Sequence, residues 1–300
     1  MSKISNKKNI LKSILVVLCL YLLFIVLKNL FSSSFFQHKD RLNIVVNQDT
    51  STFYSMGFDD GVNYFISYFP DLEVDVPGGY GKYRLGALGK LATLEKKPEL
   101  FRKTYSLVTS STVDYYFYPS ISSDKIGIYF GDKKKDFFLP QFYLIFFGNS
   151  NAPLFDRLYV YLLFLGKTKG QFKIISKLPI QNNSGGSLFL ANNFFDTYQG
   201  IFYKATYRKE AKTVQILYSK SYNTAQSLGQ ILEGDGIRVV DLNESTNTLR
   251  KCQIAEDTSK FSKTAIAISQ FLECNLVKKK TEAYDIIIEL GKSEKEWEVN

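Results

Sequence analysis

The first feature in the polarity pattern is a stretch without any alternation. Ser13 to Leu27, SILVVLCLYLLFIVL, contains no charged residue, and from Ile10 to Phe31 the only charges are Lys12 and Lys28. A bilayer span needs roughly 20 apolar residues, and lysines near its ends reach the headgroups along their aliphatic stems. Residues 1–12 carry Lys3, Lys7, Lys8 and Lys12 and no acid, which predicts a cytoplasmic tail and an extracytoplasmic remainder. Ser32 to Ser34 offers the small residues of a signal-peptide cleavage site, but the length of the apolar run favours a retained anchor. The expected layout is a tail at 1–12, a transmembrane anchor at 13–31 and a short polar stalk at 32–40. The bulk of the chain then stands outside the cell membrane.

Beyond the stalk the pattern changes to short apolar runs divided by turn residues. A strand is expected at Leu42 to Val46, and YFISYF (Tyr64 to Phe69), DYYFYP (Asp114 to Pro119) and FYLIFFG (Phe142 to Gly148) read as strands covered on both faces. Ile126 to Phe130 and Phe137 to Phe147 suggest a hairpin around GDKKKD, whose Lys133 to Lys135 form a solvated turn. Apolar residues at helical spacing run from Leu85 to Leu94. In NAPLFDRLYVYLLFLG, Asn151 is the expected helix N-cap, with Pro153 just inside.

Near Ala205 to Lys212 the composition turns charged and a second unit begins, so the boundaries predicted are 41–208 and 209–300. KTVQILYS, IRVVDL, KCQIAE and AYDIIIELG read as strands. NTAQSLGQILEGDG is a helix stopped at Gly234 or Gly236, and TSKFSKTAIAISQFLE a helix capped by Thr258 or Ser259. The order β-α-β-β-α-β makes a compact α/β sandwich, in which Phe261, Ala265, Ile268 and Phe271 form a core stripe. The fold class is α/β throughout, without internal repeats.

Composition narrows the chemistry. The formal charge is +9, of which the tail supplies 4, leaving 9 − 4 = 5 outside. That mild excess suits anionic wall polymers or lipid headgroups, and the location excludes nucleic acid as a partner. His38 is the single histidine and falls in the stalk, so histidine triads and histidine-rich zinc sites have no raw material in either unit. Cys19 lies in the span. Cys252 and Cys274 are therefore the thiols outside, where disulfides persist. A bridge would require Cα atoms within about 7 Å. A pair of buried free thiols is the reading the chain alone favours.

Candidate chemistry gathers in VPGGYGKYRLGAL, starting at Val76. Backbone N–H groups of a glycine turn before a helix can cradle a phosphate oxygen. Gly79 and Gly81 supply the turn and Lys82 the charge, with Arg102 further on; Asp71 and Arg84 are the catalytic candidates. Ordinary strand-to-helix turns also contain GGYG followed by basic residues, so a solvent-facing connection is the competing reading. Asp59 and Asp60 in FDDG read as turn residues.

The second unit, roughly Lys212 to Trp297, resembles the LytR C-terminal domain in TVQILYS, AQSLGQILEGDGIRVV and YDIIIELGKSEKEW. It departs where members have an Asn-Gly turn, reading SKSYNTAQ instead. The run FISYFPDLEVDVPGGYGKYRLGAL resembles a divergent LytR–CpsA–Psr domain. Such domains are extracytoplasmic αβα sandwiches that move polyprenyl-pyrophosphate-linked glycopolymers onto the cell wall. The resemblance places Asp71 on the family's aspartate and Lys82 or Arg84 on its later basic position, with Mg²⁺ as the implied cofactor. Phe69-Pro70-Asp71 lacks the arginine expected before the aspartate, which implies slow or absent transfer. The expectation is a membrane-anchored protein that binds polyprenyl-phosphate-linked glycopolymer or peptidoglycan with degenerate catalysis. The alternatives are a working phosphotransferase with a rearranged site and a non-catalytic envelope interaction protein.

Overall fold

The computed structural model describes residues 2–31, 33–37, 39–48, 50–119, 138–183, 186–246 and 249–299. Helix α1 (Ser2–Phe31) contains the stretch Ile14–Phe31, long and apolar enough to cross a membrane, and no part of that stretch is buried against the rest of the chain. His38, Ile126 to Phe130 and Lys133 to Lys135 lie outside the described residues.

The stalk expected at 32–40 is instead packed against the first unit. Ser33 and Ser34 are buried, the Ser34 N–H donates to the Asp156 carboxylate, and the Phe35 ring lies 5.3 Å from that of Tyr159. Lys39 pairs with Asp114 at 3.0 Å.

The first unit is built on β1 (Arg41–Asn47), β2 (Ser51–Gly57), β3 (Asn63–Tyr68), β6 (Tyr115–Tyr118), β7 (Asn149–Ser150) and β8 (Phe172–Ile174), ordered β7-β6-β1-β2-β3-β8. Alternating side chains divide its faces. Val45, Phe53, Ile66, Tyr68 and Tyr116 point into a core shared with helices α2 (Leu88–Leu94), α3 (Leu100–Thr109) and α6 (Ala191–Tyr198). Leu42, Ile44, Val46, Tyr54 and Phe117 point the other way, onto helices α4 (Phe142–Phe147) and α5 (Leu154–Phe164). Covering on both faces is why β1 and β2 are buried throughout. A second sheet, ordered β5-β4-β10-β9, joins β4 (Leu72–Val76), β5 (Gly81–Arg84), β9 (Ile180–Asn183) and β10 (Gly186–Phe189).

Two local readings are corrected. Phe142 to Phe147 is helix α4, not the second arm of a hairpin. An all-apolar run carries no period, and here the Arg157 guanidinium accounts for the helix end by donating to the carbonyls of Ile145, Phe146 and Gly148. Asn151 does not cap α5, whose N-cap is Pro153. Its side chain instead ties β6 to the loop, accepting from the Tyr116 N–H and donating to the Asp114 carbonyl.

The second unit contains β11 (Thr213–Tyr218), α8 (Tyr222–Gly234), β12 (Arg238–Glu244), β13 (Gln253–Glu256), α9 (Lys263–Leu272), β14 (Asn275–Lys278) and β15 (Ile286–Glu289). Sheet order is β12-β11-β15-β13-β14, with only β13 and β15 antiparallel among these pairs. Strand β14 is additional to the β-α-β-β-α-β order expected from the sequence. Helices α8 and α9 share one core with Val214, Ile216, Ile254, Ile286 and Ile288. The cap of α9 is Ser262, whose hydroxyl accepts the Ala265 N–H, and not Thr258 or Ser259. Cys252 and Cys274 are bridged, with Cα atoms 4.9 Å apart, so the free-thiol reading is overturned.

Helix α7 (Ala205–Glu210) straddles the boundary placed at 208/209. Its Thr206 N–H donates to Asp40, and its Glu210 carboxylate accepts the first amides of α9. The residues on either side of that boundary thus share one helix.

Candidate functional site

The residues singled out in sequence are placed by a hairpin. Strand β4 turns back at Pro77 to Tyr80 into β5, and only then does the chain enter the helical stretch at Leu85. Gly78, Gly79 and Gly81 have φ of +91°, +79° and +73°, so the backbone of this turn requires them. The predicted strand–turn–helix cradle is corrected by the intervening strand. Val76 faces Gly81 at the closed end of the hairpin and Glu73 faces Arg84 at the open end. Three residues of extended chain, roughly 10 Å, separate Gly81 from Arg84.

The first two glycine N–H groups of the turn are already taken. Both Gly78 and Gly79 donate to the Glu298 carbonyl, at 2.9 and 3.1 Å. Glu298 belongs to a C-terminal strap that crosses both units. Trp297 is buried against Phe271, Lys103 pairs with Glu296 at 2.7 Å, and Glu294 accepts the N–H groups of Ser219, Lys220 and Ser221 at the start of α8. A carboxylate there neutralises the positive end of the helix dipole.

Asp71 and Arg84 do meet, with Nη1 3.8 Å from the carboxylate; Glu73 lies 3.9 Å from the same guanidinium. They meet on the surface, however. Asp71 is 74% exposed and Arg84 45%. Beneath them Leu72, Val74, Leu85, Leu88 and Phe101 fill a solid core. Pro70, standing where the resemblance expects an arginine, accepts the Gly86 N–H at 2.8 Å and closes the entry to the helix. Lys82 is exposed on β5 opposite Asp75, whose carboxyl is raised by burial and drawn back by Lys82. Arg102 is not at this corner. It pairs with Glu99 at 2.7 Å and with Glu273 of the second unit at 2.9 Å, over the Phe271 ring.

Arg102 instead helps line a cleft of about 540 Å³ between the units, together with Lys39, Arg41, Asp114, Lys204 and Asp235. Arg41 is fully buried and donates to the Tyr203 and Val62 carbonyls, to Ser55 and to Asp60. Asp60 also accepts the Val62 N–H, the turn role read from FDDG. Asp235, just past the end of α8, accepts from Ser111, from the Thr112 amide and hydroxyl, and from Lys204. Burial works to raise Asp114, but Lys39 and Lys204 beside it and the Asn43 N–H hold its carboxyl below the usual range. Burial works against the charge on Lys204 too, yet Asp235 and Asp114 hold its pKa above that of an ordinary lysine. Burial pushes Tyr207 up to about 12, against the pull of Lys204. Arg41, Asp114, Lys204 and Asp235 are locked in charge pairs and hydrogen bonds, an arrangement that fastens the two units. Sequence reading missed Asp235, Lys204 and Glu294, since each acts across more than 70 residues or from a position that reads as a helix stop.

Among the described residues no group of three or more His, Cys, Asp or Glu side chains is placed to hold a metal. Asp71 and Glu73 do not fit Mg²⁺ either, because the Arg84 guanidinium already stands within 4 Å of both. No protein-family model and no curated protein matches this chain.

Proposed function

We propose that this is a membrane-anchored, extracytoplasmic cell-envelope protein on the plan of the LytR–CpsA–Psr glycopolymer transferases, acting by binding and not by transfer. The apolar stretch Ile14–Phe31 behind four tail lysines supports the anchor, and the bridged Cys252–Cys274 pair fits an oxidising compartment. One observation carries the non-catalytic part of the reading: the corner that should handle phosphate is satisfied internally. Its amides hold Glu298, and Arg84 is shared between Asp71 and Glu73 above a filled core.

The proposed ligand is the anionic part of a wall or polyprenyl-phosphate-linked glycopolymer, and the proposed site is the cleft between the units. Lys39, Arg41, Arg102, Lys204 and Lys263 line it against Asp40, Asp114 and Asp235, and residues 37 and 39–41, soon after the end of α1, form part of its wall. Lys263 has the exposed side chain that a ligand would meet first.

The test is an assay of the full chain in detergent with a polyprenyl-pyrophosphate-linked oligosaccharide and Mg²⁺. Binding is expected, weakened by Lys263→Ala and unchanged by Arg84→Ala, without release of polyprenyl phosphate. Mg²⁺-dependent release that disappears in Asp71→Ala would restore the phosphotransferase reading.

A further inference from the structure

Helices α4 and α5 lie side by side on the outside of the six-stranded sheet, with the Phe142 and Phe146 rings 5.3 and 5.7 Å from Tyr161. Their inner residues, Leu144, Ile145, Val160 and Phe164, are core. Their outer residues are apolar as well. Leu154, Leu158, Leu162 and Leu165 follow one another at helical spacing on the solvent side of α5 and just past its end, and Phe142, Tyr143 and Phe147 stand out from α4. Leu154 is 68% exposed and Tyr143 71%. The two charges of α5 are withdrawn from this surface: Asp156 is buried under the Ser34 amide, and Arg157 is turned inward onto the end of α4. A continuous apolar face of this kind on a folded unit marks a contact surface.

Its position identifies the contact. Helix α1 ends at Phe31, and within four residues the chain is fixed to α5, through Ser34 on Asp156 and Phe35 on Tyr159. Phe35 and Phe36 are themselves half exposed beside that contact. Four residues of extended chain span about 14 Å at most. Whatever surrounds the end of α1 is therefore within reach of the α5 face. Charge agrees: between Asp156 and Asp196 the chain carries Arg157, Lys167, Lys169, Lys173 and Lys177 and no acid. An apolar face beside an acid-free basic segment fits the boundary between acyl chains and anionic headgroups.

We propose that the outer face of α4 and α5 is seated on the lipid surface that α1 crosses, so that the first unit lies on the membrane and does not stand away from it. This rests on the reading of α1 as a membrane anchor. It adds a second, non-covalent attachment, with Leu154, Leu158, Leu162, Tyr143 and Phe147 entering the interface and Lys167 and Lys169 at headgroup level.

The test is spin labelling of the full chain with Cys19 replaced by serine, reconstituted into vesicles of phosphatidylcholine and phosphatidylglycerol. Nitroxides are placed singly at Leu158→Cys, at Val17→Cys in α1, and at Asp196→Cys on α6, which packs on the opposite side of the sheet. The label at 158 is expected to match that at 17, collisionally open to oxygen and shielded several-fold from a water-soluble nickel chelate relative to the label at 196. A label at 158 as open to nickel as that at 196, while 17 is in lipid, would overturn the proposal. Shielding of 158 from both oxygen and nickel would overturn it too, in favour of a protein contact such as a second copy. A label at 17 open to nickel would instead overturn the anchor reading itself.

Discussion

The carbonyl oxygen of Glu298 accepts the Gly78 N–H at 2.9 Å, joining the last segment of the second unit to a turn of the first. The strap carrying Glu298 is anchored by Trp297, which is buried between Phe271 and the Lys103 side chain. Trp297→Ala is expected to cost about 3–5 kcal/mol, as for other large-to-small changes in cores. The Gly78 and Gly79 amides should lose their protection at the same time. Chemical denaturation and hydrogen exchange read the two effects separately.

Two glycines of α8 should respond in opposite directions to the same change. A Cβ at Gly234 would run into the Ser110 carbonyl oxygen, where backbone meets backbone and neither side can give. Gly234→Ala is expected to cost about 3 kcal/mol or more and to loosen the junction of the units. At Gly229 the nearest atoms are side chains of Val239, Leu242 and Ile216 at 3.7–3.9 Å, ordinary contact distances. Gly229→Ala should therefore gain up to about 1 kcal/mol from helix propensity. Thermal melts of the two variants provide the comparison.

Acid should weaken the junction through Asp114. Its pKa is lowered in the folded protein, so the unfolded chain binds the proton more readily. The stabilisation is complete above the ordinary carboxylate value, about 4, and is lost as pH falls through the lowered folded value. Lys204, raised in the folded state, contributes below its ordinary value and loses that contribution only as pH rises through the folded one. Asp114→Asn should cost about 2 kcal/mol at pH 7. The gap from the wild type should narrow as the pH is taken below 4, which denaturant midpoints measured against pH will show.

Reduction of the Cys252–Cys274 bridge, or Cys252→Ser, should destabilise the second unit. The bridged residues are 22 apart in sequence, and closing a loop of that size is worth about 3 kcal/mol. Denaturation with and without reductant measures the loss directly.

The sequence made some of this legible and hid the rest for physical reasons. Leu42 to Val46, Tyr64 to Phe69 and Asp114 to Pro119 were readable as strands because β-branched and aromatic runs covered on both faces have few other uses. Phe142 to Phe147 was equally apolar and became a helix, since a run without polar positions shows neither period. Gly81 to Arg84 looked like the end of a turn, yet it pairs residue for residue with Glu73 to Val76 as an added strand. Asp71 and Arg84 stood out as candidates by residue type, but burial is a tertiary property, and a short stretch cannot show that the pair sits on a solid surface. The strap was invisible because its decisive contact is a backbone carbonyl meeting backbone amides some 220 residues away, where side-chain identity carries no signal.

The claim that the chain closes its own phosphate corner is tested most directly at the amides concerned. In ¹H–¹⁵N spectra of the full chain in micelles, the Gly78 and Gly79 resonances should be exchange-protected. Titration with polyprenyl phosphate should leave them in place while residues of the cleft, Lys263 among them, shift. Saturable shifts at Gly78 and Gly79 that vanish in Arg84→Ala would contradict the account and return the phosphate site to the hairpin.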